Sequence, residues 1–141
     1  MEVRDAVERD APAMADLTDA PESVLRNLVH DRTVRVAVEP GADGEGTVLG
    51  FVSFDAREGT VHVTEFGGDR ETEERLLAEP IRFAEREGLA VELLVRADHD
   101  DAMRAAVDAR GFVDAGPGPR FRGEPTRRYR LDPVPSDRNS R

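Results

Sequence analysis

Residues 61–77, reading V-H-V-T-E-F-G-G-D-R-E-T-E-E-R-L-L, set the tightest limit on what this chain can become. Val61 and Val63 alternate with His62 and Thr64, which predicts a strand. Gly67-Gly68 interrupts it, and Leu76, Leu77, Ile81 and Ala84 then recur at helical spacing. A strand, a glycine turn and a helix start together gather unpaired backbone N–H groups and the positive end of a helix dipole, a geometry that can hold an anion. The same turn carries Asp69, Glu71, Glu73 and Glu74. Its ordinary reading is a set of first-turn acids that complement the dipole.

The 141 residues suit one domain with a single core. There is no cysteine, hence no disulfide and no thiolate nucleophile or metal site. No apolar run approaches membrane-span length and no signal peptide is expected, so a cytoplasmic location is the default. Thirty acidic residues face 20 basic ones, all of them arginine, for a net charge of −10. Acid spread along the chain argues against nucleic acid or anionic membrane as partner. Dispersed acid without lysine suits a halophile, while codon bias toward arginine is the alternative source.

In chain order, residues 2–7 read as a first strand with Val3 inward. Asp10 is an expected N-cap with Pro12 just inside a helix that carries Met14 and Leu17 on one face. Val24, Leu25, Leu28 and Val29 predict a second short helix ending near His30-Asp31. Residues 33–39, 48–55 and 60–66 alternate as three strands joined by tight turns, an antiparallel meander. The helix after Gly68 should run to Glu87, bent or split at Pro80. Residues 90–95 are nearly all apolar, as for a strand covered on both faces and parallel to the 60–66 strand. A helix over 100–110, a short strand from Phe112, a Gly/Pro loop over 116–125 and a last strand over 126–131 complete the domain, 1–131. Residues 132–141 read as a flexible tail.

This order, β-α-α-β-β-β-α-β-α-β-β, resembles the GNAT family of acetyl-CoA-dependent N-acetyltransferases. The opening V-R-D-A-V-E-R-D-A-P-A-M-A-D-L, the central strand–turn–helix and the run A-A-V-D-A-R-G-F carry the resemblance. It implies an α+β fold, with a mixed, mostly antiparallel sheet of six to seven strands flanked by about four helices. It also implies acetyl-CoA as co-substrate, no metal, and a small-molecule or peptide amine as acceptor. A homodimer is possible through the final strands. The family's turn, (Q/R)-x-x-G-x-(G/A), holds pyrophosphate on backbone amides. By the resemblance, that role falls here to Gly68, Asp69, Arg70, Glu71, Thr72 and Glu73, with the Val63 backbone beside the pantetheine arm. The match is degenerate: Gly68 stands in place of Gln or Arg, and Glu71 and Glu73 replace two small residues. At about 6 Å and an effective dielectric of about 20, each such carboxylate repels a phosphate charge by about 3 kcal/mol. Arg70, Arg75 and molar salt would offset part of this.

Amine acetylation calls for a base near the incoming amine. Glu65, at the strand end beside the turn, is the first candidate, and His62 is the alternative. Three residues apart, the two face opposite sides of a regular strand. A solvated surface role is the ordinary reading of each. Many family members place a tyrosine acid four residues before the Gly-Phe glycine, where this chain has Val107, and the single tyrosine, Tyr129, reads as a packing residue. His30 and His99 suit helix ends. Arg120, Arg122, Arg127, Arg128 and Arg130 form the local basic cluster, with Phe121 among them. It either balances the acidic body or binds an acidic substrate or the cofactor's phosphates. A fold that has lost its cofactor motif and serves as a ligand sensor or interaction module is the rival to the enzyme.

Overall fold

The computed structural model describes residues 1–41, 46–96, 101–120 and 123–133. Seven strands hydrogen-bond in the order β1-β2-β3-β4-β5-β7-β6: β1 (Glu2–Asp5), β2 (Thr33–Pro40), β3 (Gly46–Arg57), β4 (Thr60–Gly68), β5 (Ala90–Arg96), β6 (Val113–Pro117) and β7 (Thr126–Leu131). The helices are α1 (Ala11–Ala15), α2 (Glu22–Asp31), α3 (Arg70–Leu76), α4 (Ala78–Glu87) and α5 (Asp101–Ala109). The chain therefore has the α+β fold with a mixed, mostly antiparallel seven-stranded sheet that was expected. Its residues cluster into two compact units, Met1–Asp55 with Val63–Glu79, and Ala56–His62 with Pro80–Arg141.

In the first unit β1, β2 and β3 pair antiparallel, with Val36 opposite both Arg4 and Phe51. Alternation puts Val34, Val36, Val38 and Phe51 in one cluster with Ala11, Met14 and Leu25 from α1 and α2. The first strand departs from expectation. It ends at Asp5, all four residues are exposed, and Val3, expected inward, is 36% exposed. β1 is an edge strand, so only β2 lies beside it. Asp10 also differs from the expected cap. Its carboxylate reaches back to the Val7 N–H at 2.8 Å and closes a 3-10 turn (Glu8–Asp10), while α1 receives no side-chain cap. Arg4 grips both carboxylate oxygens, at 2.8 and 3.0 Å.

In the second unit β4 pairs parallel with β5, Thr60 opposite Ala90 and His62 opposite Glu92, as the strand–helix–strand spacing predicts. β5 pairs antiparallel with β7, and β7 with β6. Val61, Ile81, Ala84, Val91, Leu93, Val95, Met103, Val107 and Phe112 are buried. The turn into β4 has positive φ at both Glu58 (52°) and Gly59 (82°), the mirror-image turn that matches strand twist. β5 is not covered on both faces as its composition suggested: Leu94 is 42% exposed. An apolar run reports burial only on average, and here one position is left open. β6 reaches Pro117, two residues into the expected loop.

The helix after Gly68 is split, as Pro80 predicted, but the break falls earlier, at Leu77. A proline cannot donate to the carbonyl four residues back and its ring crowds that carbonyl, here Leu76's. Pro80 therefore sits in the first turn of a new helix, where no such donor is required. Phe121, Arg122, His99 and Asp100, and residues 134–141 of the expected tail, lie outside the described residues. Among the described residues no helix is long and apolar enough to cross a membrane.

Candidate active site

The turn between β4 and α3 is built by glycine packing within the first unit. A Cβ on Gly67 would lie 2.3 Å from the Phe51 ring, and one on Gly50 would lie 2.6 Å from Thr72 Cγ2 and 2.7 Å from the Gly67 carbonyl oxygen. Gly68 adopts φ +115° and its missing Cβ would stand 2.7 Å from the Leu49 carbonyl oxygen. Gly67 is thus demanded by the Phe51 ring packed on it, and Gly68 by close backbone approach and its positive φ. Gly50, unremarked in the sequence, is the third member of the set. An isolated glycine inside a strand pattern was the available signal.

Asp69 is the N-cap of α3. Its backbone is extended (φ −76°, ψ 170°) and its side chain accepts the Thr72 N–H at 2.8 Å, while its carbonyl accepts the Glu73 N–H at 2.9 Å. The hydrogen bonds from Thr72 hold the Asp69 carboxyl below the ordinary carboxylate range. One of the amides expected to face phosphate is therefore already bound to the chain's own carboxylate. Thr72 is buried, and Leu76 beneath it is fully buried. Arg70 pairs with Glu73, so that acid's charge is partly neutralised inside the turn. Glu71 is exposed.

Val63 and Glu65 are half-buried in β4, and the Thr64 hydroxyl between them lies 2.6 Å from the buried Ser53 hydroxyl. His62, the other base candidate, belongs to the second unit. Its Nδ1 stands 4.0 Å from Glu92 Oε1, too long for a direct hydrogen bond. Val107, where a tyrosine acid is common, is fully buried. Tyr129 is buried as well, and burial pushes its hydroxyl pKa up, helped by the nearby charges of Asp114 and Asp108.

The arginine cluster divides by partner. Arg120 donates to the Gly123 carbonyl at 2.7 Å, Arg127 to Asp114, and Arg130 to both Glu92 and Asp132. His30, on α2, lies 2.9 Å from Glu8. Among the described residues no cluster of three or more His, Asp or Glu side chains is disposed to hold a metal ion.

The strand order and helices form the acyl-CoA N-acyltransferase fold seen in GNAT enzymes. No protein-family model matches the chain, and no curated protein matches it. Solved structures do. The ribosomal-protein-S18-alanine N-acetyltransferase from Escherichia coli superposes with a TM-score of 0.76 at 16% identity, covering 96% of each chain. An aminoglycoside 6'-N-acetyltransferase from Enterococcus faecium gives 0.73 at 14% identity, over 96% of this chain and 99% of its own. A chain of the NatC complex bound to Gag peptide and CoA gives 0.73 at 12% identity, over 95% and 100%. At these identities the likeness is one of fold.

Proposed function

We propose that this chain is an acetyl-CoA-dependent N-acetyltransferase acting on a primary amine of a small molecule or peptide. The observation that carries the reading is the continuous path from β4 through Gly67-Gly68 into α3, in a fold whose solved examples transfer acetyl groups. In the reaction the amine nitrogen attacks the thioester carbonyl, the C–N bond forms, the C–S bond breaks and the CoA thiolate leaves. The amides of residues 68–73 hold the pyrophosphate, and the Val63 backbone lies along the pantetheine arm. Glu65 takes the amine's proton, through a water where the distance requires it. The Thr72 amide need not lose a partner when phosphate arrives. The Asp69 carboxylate swings out and one anionic acceptor replaces another at the helix start.

The same contact favours a second reading, a non-catalytic ligand sensor on this fold. The Asp69 cap and the exposed Glu71 suit a turn that serves the helix alone, and the buried Val107 on α5 supplies no acid. Thermal unfolding with acetyl-CoA, in low and in molar KCl, separates the two, because a ligand that binds the native state raises Tm by mass action. A rise in either salt, followed by CoA release with an amine, supports the enzyme. A flat Tm in both salts leaves the sensor.

A further inference from the structure

One arginine of the basic cluster is left with little to hold. Arg127 and Arg130 are engaged at hydrogen-bond distance by Asp114, Glu92 and Asp132. Among the described residues Arg128 has one partner, Glu92, at 3.8 Å, beyond direct hydrogen bonding. Arg130 holds the other oxygen of that carboxylate, Oε2, at 2.7 Å. Among the described residues no acceptor therefore lies within hydrogen-bond distance of the half-buried Arg128 guanidinium.

Its surroundings are a seat. Arg128 lies directly opposite Leu94 in the β5–β7 register, so the two share a sheet face, and Leu94 is 42% exposed. The wall beside Leu94 is backbone. A Cβ on Gly118 would stand 2.6 Å from Leu94 Cδ2 and 2.6 Å from Thr126 Oγ1, so only glycine lets the chain come this close. Gly118 donates to the Thr126 carbonyl at 3.0 Å, and the Thr126 hydroxyl donates to the Pro119 carbonyl at 2.6 Å, which pins the wall. An open leucine next to an under-used guanidinium matches a ligand with an apolar side chain beside a carboxylate. A phosphate dianion suits the seat less well, because Glu92 repels a second negative charge more than a first.

We propose that Arg128 and Leu94 form a seat on the β5–β7 face for a ligand that carries a carboxylate next to an apolar group. The inference goes beyond the acetyltransferase reading and stands on the β5–β7 face alone.

The test is binding to the labelled full-length chain, followed by NMR at the Leu94 methyls and the Arg128 Nε–H, without acetyl-CoA. L-leucine should shift both signals saturably in the millimolar range, and L-leucinamide, which lacks the carboxylate, should not. Arg128→Gln should weaken leucine binding about tenfold or more, and Arg128→Lys by less, since a charge remains without the planar fork. A blocked peptide with a single glutamate separates the sources: tighter binding than leucine assigns the seat to a peptide carboxylate, weaker binding to a free amino acid. Equal shifts from leucine and leucinamide, no saturable shift from leucine, or an unchanged Kd in Arg128→Gln overturns the proposal.

Discussion

The Asp69 carboxylate accepts the Thr72 N–H at 2.8 Å, so the first turn of α3 is closed by its own chain where a diphosphate would have to enter. Asp69→Ser keeps an oxygen at the cap and removes the charge. The expected outcome is tighter CoA binding by titration calorimetry, with α3 intact by circular dichroism. Unchanged affinity would place the diphosphate away from this turn. The carboxyl's depressed pKa has a stability consequence of fixed sign: its contribution is present above the unfolded value near 3.9 and is lost as pH falls through the lower folded value. The Ser variant should lack that part of the acid limb.

Asp10 gives a second acid-dependent element. Burial works against its charge, yet Arg4 and the Val7 N–H outweigh burial and hold its pKa below the ordinary range. Its stabilisation is therefore full above the unfolded pKa and disappears toward lower pH. Asp10→Ala leaves Arg4 and the Val7 amide without their acceptor at a side chain only 6% exposed. Because Arg4 is itself 43% exposed, water recovers part of the loss, and a cost of about 1–3 kcal/mol is expected in urea denaturation at neutral pH.

Gly50 links the core to the turn. A methyl there would meet Thr72 Cγ2 and the Gly67 carbonyl within 2.7 Å. Gly50→Ala should destabilise by about 1–3 kcal/mol, as overpacking does. It should also weaken any CoA binding, since relief requires α3 to move. Pairing it with Thr72→Ser, which removes the clashing methyl, should recover part of both losses.

Glu58 carries a positive φ of 52° at a turn position that favours Asn or Gly. Glu58→Asn should raise stability by about 0.5–1 kcal/mol, read as a higher urea midpoint with an unchanged slope. A loss would mean the Glu58 side chain makes a contact worth more than its backbone strain.

The sequence by itself determined the element order, the parallel return into β5, and the helix break near Pro80, because each rests on local chemistry: periodicity, glycine, or a missing N–H. It also marked Asp69 as a first-turn acid. Tertiary structure decided what those residues face. Val3 lies on an edge, Asp10 turns back to Arg4 and Val7, and Leu94 stays open within an apolar strand. Gly50 matters only because Gly67 and Thr72 arrive against it from 17 and 22 residues away. Arg128 differs from its neighbours in that Glu92 Oε1 stays 3.8 Å from it while Arg130 holds Oε2 at 2.7 Å. Residue type specifies which contacts are possible, but competition among partners brought together across the sheet selects which are made.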